Sequence, residues 1–239
     1  MDKKIVLVTG ASSGIGEATA RRLARERHTV VLTGRNKAKL EAMAREMAGK
    51  GERVVAIAGD VTSDDEVRTI VAESLKTFGT LHAVVHSAGI FRMGAAEVMT
   101  AEEFRLVMDT NLSSTFYLLR HILPHFYKQG SGHVVALSSL AGKIGFAHET
   151  AYCASKWGLM GMLAALRLEA APRGVRVTAI LPGATLTPAW DAFEGELHRD
   201  RFMSAQSVAD AIVFALSQPE AVSVDELHCI PTRDPMGRD

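Results

Sequence analysis

The 239-residue chain has few cysteines, no excess of one charge and no long apolar run. Its two cysteines, Cys153 and Cys229, lie far apart, which excludes a disulfide framework or a cysteine zinc site and is typical of a reducing cytosol. The 27 basic and 27 acidic residues balance, so no basic excess is present to bind nucleic acid. No apolar run approaches the roughly 18–20 residues of a membrane span, and the short run at 5–8 is unlike a signal peptide. We expect a cytoplasmic protein with no metal, nucleic acid or membrane partner.

The chain is rich in apolar residues that follow two alternating periods. Hydrophobic residues make up 47%, which excludes a disordered chain. Short apolar runs predict buried strands at 5–8, 29–33, 54–58, 82–86, 133–137, 175–181 and 222–230. Helical spacing predicts helices at 14–28, 36–50, 63–78, 102–108, 112–128, 151–171 and 207–217. The alternation predicts an α/β fold with one doubly wound parallel sheet of about seven strands, helices on both faces, and a single domain over 1–239.

A glycine-rich octapeptide, Thr-Gly-Ala-Ser-Ser-Gly-Ile-Gly, joins the first predicted strand to the first predicted helix. Gly10 permits a tight turn, Gly14 removes a Cβ where a pyrophosphate would approach, and Gly16 lets the helix lie close to the strand. The helix N-terminus favours phosphate charge, and Ser12 and Ser13 can cap it or donate to phosphate oxygens. The pattern predicts a Rossmann-like dinucleotide site; the alternative is a glycine-rich turn with no ligand.

The residues after the second predicted strand indicate which dinucleotide is bound. An NAD site usually places an acid about 20 residues beyond the glycines, but no acid lies between Glu26 and Glu41. Arg35 stands there instead, followed by Lys37, and a guanidinium suits a 2′-phosphate. We expect NADP(H) to be preferred and NAD(H) to be possible. The alternative is that Arg35 and Lys37 are simply the solvated start of a helix.

Three polar residues could act together on a bound substrate. Tyr152 and Lys156 share one helix face, and Ser139 follows a strand at the carboxyl edge of the sheet, where open α/β sheets bind ligands. Reduction of a carbonyl needs a proton at oxygen as hydride reaches carbon. A phenol can exchange that proton, an ammonium favours the phenolate, and a hydroxyl polarises the substrate oxygen.

Further motifs recur in a fixed order along the chain. They are Asp60-Val61, His86-Ser87-Ala88-Gly89, Asn111, Ser138-Ser139, Tyr152 to Lys156, and Pro182-Gly183 with Thr187. With them and the glycine-rich turn, nearly the whole chain resembles the short-chain dehydrogenase/reductase family. The resemblance implies that Tyr152 is the general acid and base, and that Lys156 lowers its pKa and holds the nicotinamide ribose. It also implies that Ser139 binds the substrate oxygen and that Asn111 anchors a water in a proton relay.

The resemblance also implies a set of cofactor contacts. They are Gly10, Ser12, Ser13, Gly14, Ile15, Gly16, Arg35, Asp60, Val61, Ala88, Gly89, Asn111, Tyr152, Lys156, Pro182, Gly183, Thr185 and Thr187. The chain departs from the family by having His86-Ser87 where Asn-Asn is commoner. Its C-terminal residues 224–232 are similar to a branch that acts on small alcohols, hydroxy acids or ketones, so 3-oxoacyl reduction is the lesser alternative.

The predicted substrate pocket is mainly apolar. Its candidate residues are Phe91, Ala141, Phe146, His148 and Trp190. They suggest a small non-ionic carbonyl or alcohol, although a histidine placed like His148 is more often simply exposed. The weak pattern at 185–205 predicts a short lid rather than a domain boundary, with a static surface segment as the alternative.

The predicted helices 112–128 and 151–171 carry apolar residues on more than one face. Met160, Met162, Leu163 and Leu166 exceed what one stripe would bury. Because these helices form a subunit interface in the family, we expect a homodimer or homotetramer. A non-catalytic protein that senses NADP(H) is the alternative to an enzyme, but a sensor needs no complete Asn-Ser-Tyr-Lys set. The physiological substrate stays open.

Overall fold

The computed structural model describes residues 3–48, 53–191, 193 and 195–235. Seven strands form one parallel sheet: β1 Ile5–Thr9, β2 Thr29–Gly34, β3 Val54–Ala58, β4 Ala83–His86, β5 Gly132–Leu137, β6 Val175–Pro182 and β9 Glu226–Cys229. The strand order is β3-β2-β1-β4-β5-β6-β9, and two two-residue strands, β7 Thr185–Leu186 and β8 Met203–Ser204, pair separately. The predicted doubly wound sheet in a single domain is confirmed.

Helices cover both faces of the sheet. They are α1 Gly14–Arg25, α2 Lys37–Ala48, α3 Asp64–Phe78, α4 Ala101–Met108, α5 Ser114–Gln129, α6 Thr150–Ala170 and α7 Ala205–Ser217. Successive residues of β1 enter opposite cores: Leu7 packs with residues of α3, α5 and α6, whereas Val6 and Val8 pack with residues of α1, α2 and α7. Both faces of the strand are therefore buried, which explains its unbroken apolar run.

The structure changes some predicted bounds. The second helix ends at Ala48, and residues 49–50 of its prediction lie outside the described part of the chain. The last strand is shorter than predicted, because the guanidinium of Arg176 bonds the carbonyl oxygens of Gln218, Pro219 and Val222 and holds that stretch as a loop. The predicted helices 102–108 and 112–128 are joined by one π-helical turn, Asp109–Ser113.

The predicted lid contains β7, β8 and two 3₁₀ turns, Pro188–Trp190 and Arg199–Arg201. It is bonded to the C-terminal segment, since the His198 N–H donates to the Pro235 carbonyl and the Arg201 side chain donates to the Asp234 carbonyl. Among the described residues, no helix is long and apolar enough to cross a membrane.

Candidate active site

One cavity of about 760 Å³ lies at the carboxyl edge of the sheet. Its wall begins at the glycine-rich turn, continues past the ends of β2, β3, β4, β5 and β6, and closes on the lid and the C-terminal segment 230–235. Because all seven strands are parallel, their carboxyl ends meet at this edge and bring distant sequence motifs together.

The glycine-rich turn is shaped by close backbone contacts. Gly10 has φ +62°, and a Cβ there would lie 2.8 Å from the backbone nitrogen of Ala88. Gly14 has φ +54° and lies against the Thr187 side chain, so the lid meets the turn at this point. A Cβ on Gly16 would collide with the Gly10 carbonyl, so Gly16 sets helix packing and does not line the cavity.

The N-terminus of α1 faces this cavity through Gly14 and Ile15. Ser13 is its N-cap residue, but within the described chain its hydroxyl makes no capping hydrogen bond. The first N–H groups of a helix have no intrahelical acceptor. The turn therefore presents donors and the positive end of the helix dipole to the cavity, as an anion site requires.

Arg35 lies exposed at the end of β2 and lines the cavity. It has no ion pair among the residues that the structure describes, whereas Lys37 lies 3.9 Å from Glu41 and Lys39 lies 3.2 Å from Glu17. The nearest lysines are thus engaged with carboxylates, and the guanidinium is the cation of this segment that faces the cavity.

Asp60 and Val61 also line the cavity, next to the ends of β2 and β3. The Asp60 carboxylate accepts hydrogen bonds from the Thr62 N–H and hydroxyl, both at 2.9 Å, and the Asp60 N–H donates to Glu66 at 2.8 Å. This network fixes the loop after β3 at the cavity wall.

Ser139, Tyr152 and Lys156 converge on the same cavity. The Lys156 Nζ atom lies 5.7 Å from the centroid of the Tyr152 ring and donates to the Leu137 carbonyl oxygen at 2.8 Å. The Ser139 hydroxyl accepts from the Ala141 N–H at 3.2 Å and interacts with the Tyr152 phenol. A substrate oxygen placed between the serine and the tyrosine would meet two hydroxyl groups.

Burial changes the pKa values of the tyrosine and the lysine in opposite senses. Burial raises the pKa of Tyr152 to about 12, although the hydrogen bond from Ser139 works in the other direction. Burial lowers the pKa of Lys156 to about 8. This raised value contradicts the expected lowering of the tyrosine pKa, because loss of hydration disfavours the phenolate.

Asn111 lies in the π-helical turn, and its side chain does not line the cavity. Its amide oxygen accepts from the Ile90 N–H at 2.8 Å, and its amide nitrogen donates to the Ile90 carbonyl and the Ser155 hydroxyl. Both amide hydrogens are thus used to fix the loop after β4 against α6. The side chain acts as a structural bridge, and the contact of Asn111 with the cofactor and its part in a proton relay stay predictions.

His86 holds the neighbouring turn through a directed chain of hydrogen bonds. The Thr9 hydroxyl accepts from two N–H groups of the turn after β4, so its own hydrogen points to His86 Nδ1, 2.9 Å away. The Ser114 hydroxyl donates to the Thr110 carbonyl, so it accepts from His86 Nε2. Burial, with Lys156 nearby, lowers the pKa of His86 to about 3, so the ring is neutral.

The remaining predicted cofactor residues also lie at this edge. Those on the cavity wall, besides the ones already placed, are Ser12, Ala88, Gly89, Pro182, Gly183 and Thr185. The Gly183 N–H donates to the Cys229 carbonyl at 2.7 Å, and the Thr185 hydroxyl donates to the Gly183 carbonyl at 3.0 Å. These bonds fix the loop that leads from β6 into the lid.

The part of the cavity next to Tyr152 is aromatic. The Phe91 ring meets the Tyr152 ring edge-on with centroids 5.0 Å apart and lies 5.1 Å from the Trp190 ring. Trp190 in turn contacts Phe202, and Phe146 also lines the wall. A chain of rings therefore connects the lid to the tyrosine.

Two predicted pocket residues lie elsewhere. Ala141 is 1% exposed within the 3₁₀ turn Leu140–Gly142, and its N–H donates to the Ser139 hydroxyl. His148 is exposed on a turn with φ +64°, and its carbonyl accepts from the Gly94 N–H. The predicted places of Ala141 and His148 on the cavity wall are therefore wrong.

Sequence reasoning missed several wall residues. Among them are Leu140, Ile144, Glu149 and the C-terminal segment 230–235. Glu149 lies three residues before Tyr152, and this helical spacing is a signal that could have identified it. Nothing local marks the C-terminal segment, because only the tertiary fold brings it across the cavity.

The apolar helix residues behind the oligomer prediction are mostly core. Met160, Leu163 and Leu166 are buried within the single chain, and Met162 packs against the same cluster, so they do not supply an interface. The exposed apolar residues of α5 and α6 are Phe116, Trp157 and Leu168.

Comparisons with known proteins agree with this architecture. A family model described as short chain dehydrogenase matches residues 4–197. Sepiapterin reductase of Chlorobaculum tepidum is 34% identical over 96% of this chain and 97% of its own length. An uncharacterized oxidoreductase of Staphylococcus haemolyticus is also 34% identical, over 97% of this chain and 98% of its own.

Two solved structures share the whole fold. Alcohol dehydrogenase of the archaeon Thermococcus sibiricus, complexed with 5-hydroxy-NADP, is 28% identical, with a TM-score of 0.88 over 95% of this chain and 96% of that one. A variant of actinorhodin polyketide ketoreductase with NADPH is 30% identical, with a TM-score of 0.88 over 100% of this chain and 98% of that one. The chain therefore belongs to the short-chain dehydrogenase/reductase family of oxidoreductases.

Proposed function

We propose that this protein is an NADP(H)-dependent oxidoreductase that interconverts a small apolar or aromatic ketone or aldehyde with its alcohol. The observation that carries the proposal is the convergence of Ser139, Tyr152 and Lys156 on a cavity that is continuous with the glycine-rich turn. A dinucleotide laid along this wall would bring its reactive ring to the tyrosine.

The cavity wall fits an NADP molecule. The uncapped N-terminus of α1 suits the pyrophosphate, and Arg35 suits a 2′-phosphate because no acid precedes Glu41 there. Lys156 would hold the nicotinamide ribose, and Thr187 would lie near the carboxamide. When bound, the nicotinamide supplies or accepts the hydride at the substrate carbon. These features favour NADP(H), with NAD(H) as a weaker ligand.

The chain itself would handle the proton. In the reductive direction the Tyr152 hydroxyl donates its proton to the carbonyl oxygen, while the Ser139 hydroxyl binds that oxygen. In the oxidative direction the phenolate receives the alcohol proton. The ammonium of Lys156 and the positive charge of an oxidised nicotinamide both favour that phenolate, opposing the effect of burial.

The substrate end favours an uncharged carbonyl compound with an apolar substituent. Phe91, Phe146 and Trp190 offer ring faces and edges there. Residues 185–205 would act as a lid, since Trp190 bridges this segment to Phe91 and so couples lid position to water exclusion at the tyrosine.

Ketoreduction of a β-keto thioester is the second candidate. The observation that favours it is the similarity to actinorhodin polyketide ketoreductase, at 30% identity and a TM-score of 0.88. A β-keto thioester in the substrate panel separates the two: it would be the preferred substrate under this alternative and a poor one under the first.

We also propose that the protein is a cytoplasmic homodimer or homotetramer through α5 and α6. Phe116 and Trp157 are each 53% exposed and Leu168 is 81% exposed, although all three are large apolar residues. Multi-angle light scattering of the wild type and of Trp157→Glu tests this: the variant should be monomeric, and a monomeric wild type would contradict the proposal.

The main proposal is tested by NADPH consumption with a panel of ketones, aldehydes, quinones, β-keto acids and a β-keto thioester, and by NADP⁺ reduction with alcohols and hydroxy acids. We expect reduction of neutral apolar or aromatic carbonyls, with NADPH preferred over NADH. NADPH binding without oxidation by any carbonyl compound would instead support the non-catalytic sensor.

A further inference from the structure

Glu149 is a buried acidic residue that the proposed proton chemistry does not use. It lines the cavity and is only 7% exposed. It stands at the start of α6, three residues before Tyr152 and seven before Lys156. Glu149 is the N-cap residue and lies just outside the helix, but its side chain lines the same cavity wall as Tyr152 and Lys156. A carboxylate, a phenol and an ammonium therefore face one cavity.

Resting on the function proposed above, we propose that Glu149 is a positioning residue that keeps Tyr152 in its protonated, proton-donating form. Its carboxylate carries the same charge as the phenolate that Tyr152 would become. Two like charges close together in a poorly hydrated site disfavour each other. Removing the charge of Glu149 should therefore make Tyr152 easier to ionise.

The electrostatics of the tyrosine agree with this geometry. Burial is the largest cause of the raised pKa of Tyr152, Ser139 lowers it, and the charge of Glu149 raises it further. The Cys153 thiol next to the tyrosine acts in the same direction as Glu149.

Other charged groups face the same space from the surrounding elements. Lys156 lies on α6, Arg92 on the loop after β4, and Arg233 and Asp234 on the C-terminal segment, all on the cavity wall. None of them belongs to the turn of α6 before the tyrosine, so a substitution at Glu149 changes one charge and leaves the others in place.

The two directions of the reaction need different protonation states of Tyr152 and therefore depend differently on pH. Alcohol oxidation needs the phenolate, so a carboxylate beside Tyr152 shifts the onset of oxidation to higher pH. Carbonyl reduction needs the phenol, so the same carboxylate extends the pH range over which reduction proceeds. Glu149 would thus extend carbonyl reduction to higher pH without altering the overall equilibrium.

The test compares wild type with Glu149→Gln, which removes the charge and keeps the shape. Ionisation of Tyr152 is followed by the ultraviolet difference absorbance of tyrosinate, and Tyr152→Phe is subtracted to remove Tyr117 and Tyr127. Circular dichroism at each pH restricts the data to folded protein. We expect the onset of Tyr152 ionisation to move down by roughly one pH unit.

Glu169→Gln is the matched control, because Glu169 is an exposed glutamate on the same helix. It should leave the ionisation unchanged, and Glu149→Asp, which keeps the charge, should retain most of the wild-type behaviour. If Glu149→Gln does not fold, Glu149→Met gives the same test without a buried amide. Unchanged ionisation in the folded neutral variant overturns the proposal.

A second readout is the pH profile of kcat/KM for alcohol oxidation. In Glu149→Gln the pH at which kcat/KM begins to rise, the limb of the profile, should move down together with the pH at which tyrosinate absorbance appears. A changed KM with an unmoved limb would make Glu149 a substrate contact and contradict the inference. The spectroscopic arm needs no turnover, so failure of the proposed oxidoreductase activity would not be mistaken for failure of this inference.

Discussion

Polar residues have different surroundings at the amino edge and at the carboxyl edge of the parallel sheet, the edges where the strands begin and end. At the amino edge, histidines accept hydrogen bonds from the first backbone groups of the sheet: His28 bonds the Lys4 N–H and His82 bonds the Ile5 N–H. At the carboxyl edge, the Arg35 guanidinium and the N-terminus of α1 face a cavity instead. Polar groups of the first kind stabilise the fold by themselves, whereas those of the second kind can bind a ligand.

Removal of the Tyr152 hydroxyl, at the carboxyl edge, should have the largest effect on activity. Tyr152→Phe should lower turnover roughly 1,000-fold, because the proton donor is lost while the ring packing against Phe91 remains. NADPH consumption measures turnover, and quenching of tryptophan fluorescence measures NADPH binding, which should be almost unchanged. Tyr127→Phe on α5 is the control, and wild-type turnover in Tyr152→Phe would refute the proposed role.

The glycine-rich turn should show the next largest effect. Gly10→Ala should lower the free energy of unfolding by about 3 kcal/mol or more, because a Cβ would meet the backbone of Ala88 in addition to the unfavourable φ. Gly130→Ala separates the two causes: Gly130 has φ +70° but open space around it, so we expect a loss of only about 1–2 kcal/mol. Urea unfolding measures both, and equal losses would mean that close packing is unimportant.

Cofactor preference tests the cation at the carboxyl edge. Arg35→Asp should shift the ratio of kcat/KM for NADPH over NADH by roughly 100-fold toward NADH, because a charged hydrogen bond to the 2′-phosphate becomes a repulsion. Lys37→Asp is the matched charge reversal and should have a smaller effect, since Lys37 lies near Glu41 and further from the cavity. An unmoved ratio in Arg35→Asp would show that another residue reads the phosphate.

A buried histidine near the amino edge should make the free energy of unfolding fall at acid pH. Burial, with Arg176 and Lys4, lowers the pKa of His133 to about 3, whereas an unfolded histidine has a pKa near 6.5. The unfolded state then binds more protons, so this contribution is complete above pH 6.5 and falls as the pH drops toward 3. At about pH 5 the loss from His133 should be about 2 kcal/mol.

Urea unfolding at about pH 7.5 and pH 5 measures this loss. His133→Gln keeps a donor for the Thr178 hydroxyl but does not titrate, so its stability should depend less on pH. His228→Gln, at a more exposed histidine, should keep the wild-type dependence. An equal loss of unfolding free energy in wild type, His133→Gln and His228→Gln would show that other residues cause the acid sensitivity.

Much of the fold could be predicted because its signals are local. The apolar runs predicted all seven sheet strands, and the turn from β1 into α1 follows from its glycines. The spacing of Tyr152 and Lys156 placed both on one face of α6, and the cavity receives both. The roles of these residues in catalysis stay predictions.

The errors concern burial, which depends on partners distant in sequence. Met160 and Leu163 were interpreted as interface residues, but α6 packs deeply enough to bury them in the core of the single chain. His148 was placed in the pocket by its closeness to Tyr152, yet its turn directs the backbone to Gly94. Glu149, at almost the same position in sequence, enters the cavity instead.

The sequence by itself determined the kind and order of the elements, because hydrophobic period and glycine position act over a few residues. It also predicted a local positive site at Arg35, and this residue does line the cavity. Only the tertiary structure decided which polar groups satisfy one another and which face the cavity. The hydrogen bonds of the Thr9–His86–Ser114 chain and the burial of Glu149 form where the carboxyl ends of the strands lie together. These strands are far apart in sequence, so neither feature can be predicted from a local pattern.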